Sequence, residues 1–324
     1  MCTYRHTSIY TRQTQSRHII APPLVWQNTS SMDFFAVKQQ FYTGNYEETL
    51  NEVAKFNKTQ DDTLTYYKNR ALLALGQFLP TSSSSEALDT VFDAYYHFLQ
   101  DTSSDLAKLE QAVDAAGRSP LALNLLVTAL TIQGDFSKAL EVAVEGIDSD
   151  QVTGTAELLL TAIQVTLLNN QPSLATTMFE NFQALQEQSS EDEIVLNLAE
   201  SYINFNLAKE VTSSNFYFYD ELSQTFPSWK TQLGLLSLHL QQANLPESKA
   251  IIDLLESDFY TSKPEAAVYN ADLLANKITY TILSGKDASQ LRADLKQLKP
   301  THPLCVVDEA NNKAFDQIVA KYSA

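Results

Sequence analysis

Histidine and cysteine, which often act as proton carriers, nucleophiles and metal ligands, are rare in this chain. None of the five histidines belongs to an H-E-x-x-H pair or to another closely spaced metal motif. His239 lies inside an apolar helical stretch, so we expect it to be structural, and Pro303 between His302 and Cys305 indicates a turn rather than a catalytic pair. Two cysteines form neither a disulfide framework nor a zinc cluster. The sequence therefore predicts no catalytic residue, no metal site and no cofactor.

Two groups of carboxylates have the composition of a cation site or an acid-base pair but lack the spacing. Asp148, Asp150 and Gly154 suggest a calcium loop, yet the third ligand position is Val152 and the glycine comes one position late. Three acids at 191–193 precede a helical stretch, where the helix dipole favours negative charge. We therefore interpret these three carboxylates as a helix start.

Glycine spacing excludes the phosphate-binding loops of nucleotide-dependent enzymes. The chain has 8 glycines, and the two that lie closest together, Gly146 and Gly154, are eight positions apart. Both G-x-G-x-x-G and G-x-x-x-x-G-K-[ST] need clustered glycines that let the backbone approach a phosphate. Dinucleotide-binding and P-loop enzymes are thus excluded.

The charge of the chain and its longest uncharged stretch limit the possible partners. With 39 acidic and 22 basic residues the net charge is −17, which repels nucleic acid phosphates. Residues 158–179 carry no charge but include Gln164, Asn169 and Pro172, so they predict helices with a turn between them rather than a membrane span. We expect no nucleic acid partner.

Residues 1–31 differ from the rest in composition, with arginines but no acids and with many serines and threonines. We interpret them as a disordered leader outside the native chain, whose ordinary start is Met32. The alternative is a mitochondrial transit peptide, which has a similar composition.

From Met32 onward the apolar spacing is helical, and a unit of two short helices joined by a glycine or asparagine turn recurs. Successive turns, beginning with Gly44, Gly76 and Gly134, are mostly 32 to 41 residues apart, with one longer gap of 58. This period is typical of a tetratricopeptide repeat, whose helix pairs must stack to bury their apolar faces. The sequence therefore predicts an all-α fold, with a single tetratricopeptide-like solenoid over 32–324 whose repeats degenerate from about 260.

Several segments resemble the fungal epsilon subunit of coatomer. The resemblance is carried by 32–56, by 67–77 and by Val144-Glu145-Gly146-Ile147-Asp148, and it is strongest in 214–217 and 221–236. It implies a non-enzymatic subunit of the COPI vesicle coat that binds the C-terminal region of the alpha subunit. It further implies assembly with the other coatomer subunits, a cytoplasmic location on Golgi and COPI vesicle membranes reached only through the coat, and a role in Golgi-to-ER retrograde and intra-Golgi transport.

With the repeat register on the chain, the first helix of each pair is expected to line a concave face. Phe34, Tyr66, Arg70 and Asn124 then fall at inward positions. An aromatic, guanidinium and amide surface suits an extended or hairpin segment of a partner. These four residues are the candidate partner-binding surface, and the alternative for each is packing between helices or simple exposure to solvent.

Other functions remain open on the residues alone. A generic tetratricopeptide adaptor or co-chaperone would clamp a terminal carboxylate with a lysine and asparagine set, of which only Arg70 and Asn124 have a counterpart here. An enzyme on an α/α scaffold would need two carboxylates converging in a cleft, and no spacing in the sequence pairs them.

Overall fold

The computed structural model describes residues 34–56, 59–80, 86–104, 106–185, 189–209 and 213–322. The predicted leader at 1–31 lies outside the described residues. Within the described residues there are seventeen α-helices, one 3-10 turn at Ser190–Asp192 and no strand. The predicted all-α helical-repeat fold is confirmed.

The helices follow one another in pairs separated by short turns. In chain order they are α1 Phe35–Thr43, α2 Tyr46–Ala54, α3 Asp62–Ala74, α4 Ala87–Gln100, α5 Ala107–Ala115, α6 Pro120–Ile132, α7 Phe136–Ile147, α8 Thr155–Leu168, α9 Pro172–Leu185, α10 Glu193–Asn206, α11 Ser214–Thr225, α12 Trp229–Gln241, α13 Leu245–Leu255, α14 Asp258–Thr261, α15 Ala266–Leu283, α16 Ser289–Leu298 and α17 Pro303–Tyr322.

Local sequence signals account for many of the helix ends. The side chain of Asp61 accepts a hydrogen bond from the Thr63 amide at the start of α3. Ser228 caps α12 in the same way and forms a capping box with Thr231, which satisfies amides that have no partner inside the helix. Gly44 ends α1 with φ at 85°, a left-handed conformation that glycine adopts without steric cost.

The packing follows the pairing of the helices. In the succession α4, α6, α8 and α10, each first helix contacts its own second helix and the first helix of the next unit. Helix α6 is buried over most of its surface, including Leu123, Leu126 and Val127, whereas the second helix α7 has one buried face with Ala139, Val142 and Ala143. Burial of first helices between neighbours is what a stack of helix pairs requires.

The array also brings its N-terminal end back onto later units. Helix α1 packs against α3, which follows it in sequence, but also against α10 and the 3-10 turn before it. Hydrogen bonds extend this contact to the start of α12 and to α15. The first helices therefore surround an interior instead of forming an open row.

The C-terminal units pack in smaller groups. Trp229 and Tyr260 lie at the centre of one cluster, in which the indole Nε1 donates to the Tyr260 carbonyl at 3.0 Å. Helix α16 packs on α15 and α17, and no residue of the 20-residue α17 is buried. The C-terminal end is thus held by fewer buried side chains than the middle of the array.

Candidate functional site

The four predicted partner-binding residues lie on helices α3 and α6 or directly before helix α1. Phe34 directly precedes α1, Tyr66 and Arg70 lie one turn apart on α3, and Asn124 lies on α6. The structure brings Tyr66, Arg70 and Asn124 together. Phe34 packs its ring edge-to-face on Phe56, with the ring centroids 5.4 Å apart, and contributes no polar group to the other three.

Arg70 is the centre of this polar group. Its Nη1 donates to the Tyr66 hydroxyl at 2.7 Å and to Asn124 Oδ1 at 3.4 Å. Its guanidinium carbon lies 5.2 Å from the centroid of Phe41 and 5.4 Å from that of Tyr66, within the range of a cation–π interaction. These contacts fix the orientation of the guanidinium group.

The members of this group differ in accessibility. Tyr66 and Asn124 are fully buried, and Phe34 is buried too. The Asn124 amide nitrogen donates to the Glu157 carbonyl and to Thr161 Oγ1, both at 2.8 Å. Arg70 is partly exposed. The contact of these four residues with a partner stays a prediction, and of the four only Arg70 has more than a trace of surface in this chain.

A buried charged cluster beside this group was missed by sequence reasoning. The Lys38 ammonium on α1 lies 2.8 Å from Glu157 Oε1 on α8 and 2.5 Å from Asp192 Oδ1 in the 3-10 turn. The Tyr67 hydroxyl donates to the same Glu157 oxygen at 2.6 Å. Glu157 Oε2 is buried without a hydrogen bond. The interpretation of the acids at 191–193 as a helix start alone was therefore incomplete, because Asp192 pairs with a lysine 154 positions away.

The three charges of this cluster change one another's pKa values. Burial would raise the pKa of Glu157, but the Lys38 charge and the donors outweigh it, so the net shift is downward. Burial also raises the pKa of Asp192, and there the attraction of Lys38 does not overcome it. For Lys38 burial acts downward, and the two carboxylates reverse it and raise its pKa. The lysine thus stays charged, and Glu157 is the carboxylate it stabilises more.

A third set of contacts joins the first unit to the C-terminal third. The Ser228 hydroxyl donates to the Thr43 carbonyl, and the hydroxyls of Tyr46 and Tyr269 lie 2.8 Å apart. The Lys230 ammonium lies 5.7 Å from the centroid of the Tyr42 ring. Nothing in the repeat period indicates these pairs, since the two hydrogen bonds connect residues 185 and 223 positions apart.

Beside these contacts lies a groove of about 360 Å³. Its lining includes Tyr202, Tyr219, Lys230, Tyr269, Asp272 and Asn276. Aromatic rings with polar tips, one cation and one carboxylate make a mixed surface of the kind found at protein–protein interfaces.

The predicted structural histidine behaves as expected. His239 is 9% exposed and packs edge-on against Phe216, with the ring centroids 5.2 Å apart. Burial lowers its pKa. His302 Nε2 lies 3.2 Å from Asp272 Oδ1. Within the described residues no three histidine, cysteine or acidic side chains could hold a metal ion.

The same described ranges contain no helix that is both long and apolar enough to cross a membrane.

The fold and the buried interior define a tetratricopeptide-like helical solenoid. Residues 30–323 match the family model described as the coatomer epsilon subunit. Along 90% of its length the chain is 46% identical to coatomer subunit epsilon of Saccharomyces cerevisiae, of which 99% is covered. The probable coatomer subunit epsilon of Schizosaccharomyces pombe is 25% identical, with 92% of this chain and 98% of the relative covered. Coatomer subunit epsilon of Caenorhabditis elegans is 22% identical, with 88% of this chain and 97% of the relative covered.

The chain belongs to the coatomer epsilon subunit family. The resemblance stated from the sequence is confirmed. The chain is therefore a structural subunit of the COPI coat, a member of the coatomer complex with its other subunits, and a component of vesicle transport.

Proposed function

We propose that the interior of this array holds the C-terminal region of the coatomer alpha subunit. The observation that carries the proposal is the arrangement of first helices around an interior, in which Arg70 and Lys230 are partly exposed among aromatic rings. An extended or hairpin segment placed there stacks on the aromatic surface and accepts hydrogen bonds from the two cations.

The buried polar groups support the interior without meeting the partner themselves. Tyr66 and Asn124 hold the Arg70 guanidinium in place, so its remaining N–H donors have a fixed direction. A side chain that is already ordered loses less entropy when it binds. In this proposal Arg70 is the contact residue and its two neighbours are positioning residues.

The alternative of a clamp for a terminal carboxylate, as in a co-chaperone, fits the structure less well. Its asparagine would have to be Asn124, whose amide nitrogen already donates to Glu157 and Thr161 and which is fully buried. The family membership also favours the coat.

Through the alpha subunit, the chain would act in Golgi-to-ER retrograde and intra-Golgi transport on the cytoplasmic side of Golgi and vesicle membranes. The net charge of −17 disfavours direct binding to anionic lipid. Membrane association is therefore assigned to the assembled coat.

The test is binding of the purified full chain to the purified C-terminal region of the alpha subunit, measured by isothermal titration calorimetry. We expect a stoichiometric complex that Arg70→Met weakens by about 10-fold or more, as for the loss of a charge-assisted hydrogen bond. Lys68→Met is the matched control, because Lys68 is on the same helix but exposed, and it should bind like the wild type.

Circular dichroism of both variants separates loss of binding from loss of fold. Absence of binding by the wild-type chain would overturn the proposal, and equal affinity of the Arg70 and Lys68 variants would remove Arg70 from the interface.

A further inference from the structure

Two cations in the interior have no acidic partner among the described residues. In the described part of the chain Arg70 hydrogen bonds only to the neutral groups of Tyr66 and Asn124, and Lys230 stands over the neutral ring of Tyr42. The chain has 39 acids for 22 bases, so carboxylates are plentiful. Lys38, Arg118, Lys138 and Lys249 all pair with at least one of them. Arg70 and Lys230 thus differ from the buried Lys38 in forming no salt bridge within the described residues, although Asp272 lines the same groove as Lys230.

The two cations also stand over neighbouring rings, and the charge of Arg70 acts on Lys230. The rings of Phe41 and Tyr42, which contact Arg70 and Lys230 respectively, lie 5.2 Å apart by their centroids. Burial and the charge of Arg70 together lower the pKa of Lys230 to about 8. Two like charges in a place of low dielectric repel each other strongly. A negative group between them would reduce this repulsion and compensate both cations for the hydration they lose.

Both cations keep hydrogen-bond donors that such a group could use. The contacts of Arg70 in the described residues use Nη1 alone, which leaves the other N–H groups of a guanidinium that can form two parallel bonds to a carboxylate. Lys230 lines the 360 Å³ groove and is partly exposed. A ligand in the groove can therefore reach its ammonium group.

We propose that Arg70 and Lys230 together bind one aspartate or glutamate side chain of the alpha-subunit segment, and that this carboxylate sets the register of the segment in the interior. The inference rests on the proposed function and names the chemistry by which the partner is recognised. A single carboxylate fits better than a phosphate dianion, because the carboxylate of Asp272 lines the same groove and repels additional negative charge.

The experiment is a double-mutant cycle on the full chain and the C-terminal region of the alpha subunit. On this chain the variant is Lys230→Met, which keeps the aliphatic stem and removes the charge. Its matched control is Lys286→Met, at an exposed lysine. On the partner each aspartate and glutamate of the bound segment is replaced in turn by its amide. The measurement is Kd by titration calorimetry at low and physiological salt.

We expect Lys230→Met to weaken binding by about 10- to 100-fold, the range for a hydrogen bond between charged groups in a partly buried site. One acid-to-amide change on the partner should cause a similar loss. The two changes together should cost little more than either alone, because they remove the same interaction. The Lys286 variant should bind like the wild type.

The outcomes separate this inference from the proposed function. If the wild type binds but Lys230→Met has the affinity of Lys286→Met, the carboxylate site is refuted while the proposed function stands. Strict additivity between Lys230→Met and every partner variant refutes it as well. If the wild-type chain does not bind the alpha segment, the proposed function fails and the carboxylate site fails with it.

Discussion

The buried ion cluster of Lys38, Glu157 and Asp192 makes a quantitative prediction about stability. The side chains of Lys38 and Glu157 are 7% and 1% exposed. Among the residues that the structure describes, Lys38→Met would leave Glu157 with the Tyr67 hydroxyl as its only side-chain donor. Removing one partner of a buried ion pair typically costs about 3–5 kcal/mol, because the other charge stays buried without compensation. We expect a loss of this size at pH 7, equivalent to roughly 5–15 °C in Tm.

The assay is urea and thermal unfolding of the full chain, followed by circular dichroism at 222 nm. Two variants control the interpretation. Lys38→Met with Glu157→Gln should recover part of the loss, since the buried charge is then absent. Lys249→Met, which breaks the exposed pair with Asp253, should unfold close to the wild type because surface pairs contribute little.

The stability difference between Lys38→Met and the wild type should change with pH in a direction set by the pKa of Glu157. In the wild type the pKa of Glu157 is lowered by Lys38 despite burial, so its contribution to stability is present above the unfolded pKa and is lost as pH falls through the folded pKa. In Lys38→Met burial and the Asp192 charge act upward against the Tyr67 and backbone hydrogen bonds, and we expect the pKa of Glu157 to rise. The carboxylate then takes up a proton in mild acid, and the deficit relative to wild type shrinks from pH 7 to pH 5. A deficit below about 1 kcal/mol at pH 7, or one independent of pH, would refute the reasoning.

Three further predictions concern the interior. Gly44→Ala should lower Tm more than Gly76→Ala. Both glycines have positive φ, but an added Cβ at Gly44 would lie 2.8 Å from Lys230 Cβ, whereas one at Gly76 would have no atom within 4 Å. Tyr46→Phe and Tyr269→Phe should each cost about 1 kcal/mol in urea unfolding and together less than the sum, because they share one hydrogen bond. Between pH 8 and 10 the free energy of unfolding of the wild type should rise relative to that of Lys230→Met by up to about 3 kcal/mol. The reason is that the folded-state pKa of Lys230, about 8, lies below its unfolded value. A difference between the two proteins that stays constant over this pH range would contradict the prediction.

Much of the fold could be predicted because its signals are local. The turn at Gly134-Asp135-Phe136 and the apolar spacing around it predict helices at 121–132 and 137–147, and the structure has them at Pro120–Ile132 and Phe136–Ile147. Glycine at a left-handed turn and the period of one helix pair depend on neighbouring residues only.

The interior could be predicted only in part, because the repeat register gives the direction of a side chain but not which residues of other helices contact it. Register placed Tyr66, Arg70 and Asn124 inward, and they do contact one another. It gave no sign that helices from later units would bury Tyr66 and Asn124. The pairing of Lys38 with Asp192 likewise depends on the return of the array onto its first unit, which no local spacing encodes.

The contacts that bring the first unit back onto α12 and α15 have a consequence for synthesis on the ribosome. The hydrogen bond of Tyr46 cannot form until its partner Tyr269 is synthesised, 223 residues later. At about 5–20 residues per second this delay is roughly 10–45 s. Glu157 and then Asp192, the partners of Lys38, are made within that time, before the partner of the Tyr46 hydroxyl. The nascent chain thus passes through a long-lived open stage, in which its aromatic interior is accessible to chaperones or to a partner translated nearby.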